Sequence, residues 1–212
     1  MRKKPRQERS RSLVQSLVEA AAVTIAEEGL EAATAARISA RAGISVGSFY
    51  QYFDRKEDLY AAVLEQIAGE LKAVVARQLK NLAPRGIRDF VRELMQDVWT
   101  LLEANGGRYL QVSRYWAQLD SAAAMNELEA QMNTALAVYL MQNPPARPVR
   151  DLPAKVYVLI NSVLFTTVRY ISAPTPHVSR EQVIETFAEM AAQVVGEQRV
   201  SSSSVMKQGR RR

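Results

Sequence analysis

Cysteine is absent from all 212 residues, so neither a disulfide framework nor a thiolate metal site can be built. Histidine occurs once, at His177 in a proline-flanked loop, where it reads as a solvated loop residue. No Ser-His-Asp set, metal cluster or phosphate-binding glycine loop can be assembled. Glu127 and Glu129, two apart on a predicted helix, point in different directions and make no carboxylate pair. These absences argue against an enzyme, a cofactor or a metal. Long apolar runs are lacking too. The longest, from Val156 to Val168, is interrupted by Asn161, Ser162, Thr166 and Thr167 and flanked by Lys155 and Arg169, which falls short of a membrane span. No apolar signal-peptide run is expected behind the charged N-terminus, because Glu8, Arg9 and Arg11 come first. A soluble cytoplasmic protein is the expectation.

Hydrophobic residues are plentiful at 48%, enough for a substantial core in one large domain or two small ones. The net charge of +6 is unevenly spread. Residues 1–12 hold Arg2, Lys3, Lys4, Arg6, Arg9 and Arg11 against Glu8 alone, and residues 200–212 hold Lys207 and Arg210 to Arg212. Between 34 and 56, Arg37, Arg41, Arg55 and Lys56 face only Asp54. The rest of the chain is mildly acidic. Positive charge on the tails and one short segment suits a polyanion touching the N-terminal end; tails that merely solubilise would look the same.

Helical periodicity recurs in segment after segment and strand signals are nearly absent, so the fold class is all-α with about nine helices. The first helix should run from Ser10 or Ser12 to Gly29, burying Leu13, Leu17, Ala21 and Ile25 at i+4 spacing. A short helix capped by Thr34 buries Ile38 and Ala42, and another capped by Ser45 contains Phe49, Tyr50, Tyr52 and Phe53. A longer one, opened by Asp54, continues through Leu59, Val63, Ile67, Leu71 and Val74 to a break at Ala83–Gly86. Helices are then predicted at 87–104, 107–119, 122–142, 151–172 and 179–197. This divides the chain into a basic flexible arm (1–10), a DNA-binding domain (11–71), a ligand-binding and dimerisation domain (72–199) and a basic tail expected to be disordered (200–212).

The informative segment is TAARISARAGISVGSFYQYF, residues 34–53. Two short helices joined by Ala42–Gly43–Ile44–Ser45 make a helix-turn-helix, with glycine permitting the reversal and isoleucine plugging the angle. Phe49 and Phe53 face the first helix, which leaves Val46, Gly47, Ser48, Tyr50, Gln51 and Tyr52 on the other faces. Small residues let a backbone approach a groove, while an amide and phenols reach base edges and phosphates. Lys56 adds a point charge. Apolar spacing alone equally fits a helical hairpin in an unrelated bundle, with the aromatics simply core.

The run from Gly29 to Glu65, GLEAATAARISARAGISVGSFYQYFDRKEDLYAAVLE, resembles the N-terminal signature of the tetracycline-repressor (TetR) family, a likeness covering residues 11–71. The resemblance implies a bacterial homodimer that binds a palindromic double-stranded DNA operator, represses transcription and is released by a small effector in the C-terminal domain. It further implies base or phosphate contact by Thr34, Ser45, Val46, Gly47, Ser48, Tyr50, Gln51, Tyr52 and Lys56. Ala36 stands where some members carry a base-reading arginine, with Arg37 as its neighbour and possible substitute. Val46 replaces a common lysine or arginine, which favours a thymine methyl over a guanine. The alternatives are a helix-turn-helix protein without an inducer and a helical interaction protein that does not bind DNA.

In the C-terminal half, Trp99, Tyr115, Trp116 and Tyr139 are candidate walls of a largely apolar effector pocket. Asn161 and Thr166, with Thr167 beside it, are candidate polar contacts there. Val183, Phe187, Met190 and Val194 lie on one side of the last helix, which together with the 151–172 helix is the expected dimer interface, an isologous four-helix bundle.

Overall fold

The computed structural model describes residues 8–80, 86–145 and 147–195 and holds eight α-helices and no strand among them. They are α1 (Glu8–Glu28), α2 (Ala35–Arg41), α3 (Val46–Phe49), α4 (Lys56–Lys80), α5 (Ile87–Ser113), α6 (Ala122–Gln142), α7 (Leu152–Ser172) and α8 (Arg180–Val195). A short 3₁₀ turn, Trp116–Gln118, links α5 to α6. The expected flexible arm is corrected at its end, because residues 8–10 already belong to α1. Residues 1–7, the basic tail from 200 and most of the expected break at 83–86 lie outside the described residues.

Helices α1 to α3 fold over the first half of α4. Their shared core is Leu17, Ile25, Ile38, Phe49, Phe53, Leu59 and Val63, all essentially inaccessible. Thr34 and Ser45 cap α2 and α3, each side-chain oxygen accepting from the backbone N–H three residues on. Between them Gly43 takes φ of 70°, a left-handed conformation no β-branched residue would accept without strain, and Ile44 donates its N–H to the Ser39 carbonyl at 3.0 Å. Helix α3 ends at Phe49, one turn earlier than the aromatic run suggests, and Tyr50 to Tyr52 continue as turns. Helix α4 opens with Lys56 and places Glu57 and Asp58 in its first turn and Arg77 and Lys80 in its last, matching the helix dipole.

The remaining helices pack around the second half of α4, α5 lying on α8 and α6 on α4. Helix α5 is interrupted: Ala104 is extended, and Asn105, Gly106 and Gly107 are left-handed at φ of 52°, 71° and 74°. The sequence expectation of two helices meeting at Gly106–Gly107 corresponds to this interruption. The second piece stops at Ser113, six residues before the expected end, and the chain tightens into the 3₁₀ turn. Arg88 and Arg92 on α5 grip Glu185 on α8, and Arg88 also reaches Glu189.

Phe49 is fully buried, and its ring centroid lies 5.7 Å from that of Phe53. Phe49→Ala is therefore expected to cost about 3–5 kcal/mol in urea unfolding, a large part of a domain's roughly 5–15 kcal/mol. A loss below about 1 kcal/mol would mean that the site collapses around the deletion without harm.

Candidate functional site

The packing that buries Phe49 and Phe53 turns the opposite side of the motif outward. Thr34, Arg37, Ser45, Val46, Gly47, Tyr50 and Gln51 are exposed, and Ser48, Tyr52 and Lys56 are half-buried. All ten residues proposed from the sequence thus line one connected stretch around α2, α3 and the start of α4. Val46 and Tyr50 are 40% and 46% exposed, a notable loss of burial for two large apolar side chains on a four-residue helix. The Tyr52 hydroxyl donates to Ser10 Oγ at 3.4 Å and ties the end of the motif to the start of α1.

Charge on this surface is already partly spoken for. Glu28 at the end of α1 receives both Arg37 and Arg41, and Glu27 takes a second nitrogen of Arg41. Arg55 lies 3.6 Å from Asp58. Lys56 has no carboxylate partner among the described residues; its ammonium sits 5.8 Å over the ring of Tyr60. The sequence alone did not reveal that Arg37 is shared with Glu28, because the two residues meet only once α1 and α2 have packed.

Tyr60 is a positioning residue that spacing arguments missed. It is buried, and its hydroxyl donates to the Ala33 carbonyl, directly before the Thr34 cap, with the Leu30 carbonyl 3.5 Å away. Burial, reinforced by the nearby Glu57 carboxylate, pushes its phenol up to about 12. A second set of links joins the motif to the C-terminal helices. Arg108 pairs with Glu19 on α1, and the Tyr109 hydroxyl meets Glu70 at 2.5 Å and Gln66 at 2.9 Å on α4. Burial first, then the Glu70 bond, raises the Tyr109 phenol above its usual value.

Behind α4 lies an apolar cavity, partly open to solvent, with walls from α4, α5, α6 and α7. Trp116 is the only one of the six sequence-proposed pocket residues on its wall. Trp99 faces a separate cleft under Arg180, Tyr139 stacks on Phe90 at 5.6 Å within the core, and Tyr115 sits beside Gly29. Asn161 donates to Glu129 and to its own helix, and Thr166 is exposed. Thr167, one residue on and therefore about 100° around the helix, is the threonine that reaches the cavity. A second, smaller cavity shares Leu94, Met95, Met132 and Val163 with the first.

The expected interface residues separate as well. Val183 and Phe187 turn into the chain's own core, because α5 supplies the apolar cover that α8 needs; Met190 and Val194 are only half-buried. Outside the motif, three of the large apolar residues left without cover share α7, where Tyr157, Val158 and Phe165 are 61%, 59% and 59% exposed; Met141 at the end of α6 and Val178 before α8 are the others among the described residues.

A family model described as bacterial regulatory proteins, tetR family, matches residues 17–63, which span the motif and its core. A curated relative, the HTH-type transcriptional regulator BetI of Stenotrophomonas maltophilia, is 34% identical over 103 residues, covering 49% of this chain and 52% of the relative. The chain thus spans about half the length of that relative. Among solved structures, the multidrug efflux pump repressor SmeT of Stenotrophomonas maltophilia matches with a TM-score of 0.64 at 18% identity, over 85% of this chain and 88% of that one. The TetR-family repressor FadR of Thermus thermophilus, solved with lauroyl-CoA, matches with a TM-score of 0.62 at 19% identity, over 85% and 94%. At such identities the two structures establish a shared fold, an N-terminal helix-turn-helix followed by a C-terminal helical domain.

Tyr60 provides a pH test. Its phenol is raised in the fold from 10.0 to about 12, so its contribution is complete below pH 10 and is lost as pH rises through the folded value. Between pH 10 and 12 the wild type should lose stability faster than Tyr60→Phe. Parallel denaturation curves for the two proteins across that window would show that the phenol ionises as freely folded as unfolded.

Proposed function

We propose that this chain belongs, through its N-terminal domain, to the tetR family of bacterial regulatory proteins, whose model matches residues 17–63, and that it is a ligand-released dimeric repressor that binds a palindromic DNA operator. In this reading it is a cytoplasmic regulator and not an enzyme. No helix among the described residues is long and apolar enough to cross a membrane. The observation that carries the proposal is the division of the motif around α3: Phe49 is sealed inside while Val46, Gly47, Tyr50 and Gln51 are presented to solvent beside Lys56, which has no carboxylate partner among the described residues. A helix held by one aromatic anchor, with small and hydrogen-bonding groups outward, is shaped to enter a major groove. Val46 then meets a thymine methyl, Tyr50 and Gln51 reach base edges or phosphate, and Thr34, Ser45, Ser48 and Tyr52 fix the register on the backbone. Arg37 reaches phosphate only by leaving or sharing Glu28.

One short helix reads too few base pairs to be selective, so two copies are required. Two recognition helices on one face of DNA must stand about 34–36 Å apart. We place the two-fold contact on the uncovered apolar face of α7, flanked by Met190 and Val194 of α8. The domain division follows the same logic: residues 11–71 hold DNA, and 72–199 set the spacing and hold the effector. The effector cavity is the one bounded by Trp116 and Thr167. A ligand there acts only through its differential affinity for the operator-bound and free conformations.

Lys56→Ala tests the DNA face. It should weaken binding to all sequences by a similar factor and lower the slope of log affinity against log salt by about one per protomer. Fluorescence anisotropy across a potassium chloride series measures both, and unchanged binding at every salt concentration would remove Lys56 from the interface.

The dimer is tested on α7. Phe165→Asp should sediment as a folded monomer, since an unpaired charge in an apolar interface is strongly disfavoured, whereas Phe187→Asp should unfold the chain rather than split it. An intact Phe165→Asp dimer would move the contact off α7.

A further inference from the structure

The cavity behind α4 is chemically lopsided in a way that restricts what can occupy it. No charged side chain among the described residues lines either chamber. The inner chamber, between Phe90 and Phe187, has no polar side chain at all. The outer chamber has a few, and two of them stand out: Trp116 Nε1 and Thr167 Oγ1 are buried atoms with no hydrogen-bond partner among the described residues. Trp116 is itself 6% exposed. Buried polar groups are nearly always hydrogen-bonded, so two orphans lining one cavity ask for a further partner. Gln131 on α6 adds an amide to the lining.

Resting on the reading of this cavity as an effector site, we infer that its ligand is an uncharged lipophile carrying one polar acceptor, such as a hydroxyl or carbonyl. The acceptor takes the Trp116 N–H and exchanges a hydrogen bond with the Thr167 hydroxyl. The hydrocarbon body passes the shared wall of Leu94, Met95, Met132 and Val163 into the inner chamber. Flexible methionines on that wall can adapt to its width. A carboxylate is disfavoured because no cation awaits it, and a quaternary ammonium because no carboxylate lines the walls; either ion would be desolvated without compensation. The partnered cations near the bundle do not change this. Arg108 is held by Glu19 toward α1, and Arg180 by Glu103 and Glu181 beside Trp99, neither on the cavity wall.

The test uses the full-length chain carrying Trp99→Phe, which leaves Trp116 as the sole tryptophan reporter. Four probes with the same ten-carbon chain are titrated below their micellar concentrations: 1-decanol, 2-decanone, decanoate at pH 8 and decyltrimethylammonium. Trp116 fluorescence and calorimetry are read together. Decanol and decanone should bind at least tenfold more tightly than either ion. Thr167→Val should weaken decanol binding about fivefold relative to the Thr167 protein, since it removes a hydroxyl while keeping the shape. If decanoate or the ammonium binds as tightly as decanol, the inference is overturned while the effector cavity stands. An unchanged decanol affinity in Thr167→Val likewise overturns the role given to the hydroxyl. Should none of the four bind by either measurement, the effector-cavity reading itself falls.

Discussion

A helix of four residues closes too few hydrogen bonds to persist in water, because nucleation costs more than one turn returns. Helix α3 exists because Phe49, and Phe53 just beyond its end, are withdrawn into the angle between α1 and α4, each side chain contributing roughly 1.5–3 kcal/mol by burial. That single anchorage frees the other faces from any structural duty. Glycine at 47, valine at 46 and an exposed tyrosine at 50 would be poor choices for a helix that had to hold itself together. Here they are tolerated because stability comes from behind. The Tyr60 hydroxyl and the Glu28 carboxylate extend the same strategy to α2, fixing its start and its flank from α4 and α1.

Helix α4 belongs to both halves of the molecule. Its first turns complete the core around Phe49, and its last turns supply Leu71 and Val75 to the cavity wall. The segment after the break in α5 is the second shared element. Arg108 and Tyr109 reach back to α1 and α4, Tyr115 lies against Gly29, and Trp116 lines the cavity. The left-handed run at Asn105 to Gly107 makes this possible by letting the chain leave one helical axis and take up another.

The N-terminal domain was legible from the sequence because its determinants are local. Thr34 and Ser45 cap, Gly43 turns and Phe49 with Phe53 face inward, and every one of these roles follows from spacing along the chain. The C-terminal half was legible as helices but not as a site. Whether Thr166 or Thr167 faces the cavity is a matter of helix rotation, which α5 and α6 decide from far away in sequence. The same holds for α8, whose apolar stripe fits either a partner or its own α5; the structure gives Val183 and Phe187 to α5. Aromatic content marked the C-terminal core correctly without separating the wall of the cavity, Trp116, from the stacking in the interior, Tyr139 on Phe90.

The 25 residues of α4 form one uninterrupted rod, roughly 37 Å long at 1.5 Å per residue. Gln66, tied to both Gln15 and Tyr109, lies near its middle and serves as a fulcrum. From there to Lys56 the arm is about 15 Å, so a tilt of about 5° swings the tip by about 1.3 Å. A hydrogen bond is gone once its ends part by about 0.7 Å beyond their usual separation. The geometry therefore works as a balance beam with gain close to one. A displacement no larger than a methyl group's radius at Val75 is matched by a comparable one at Lys56, and in the proposed DNA complex hydrogen bonds at that tip would be more sensitive to it than the packed end that produces it.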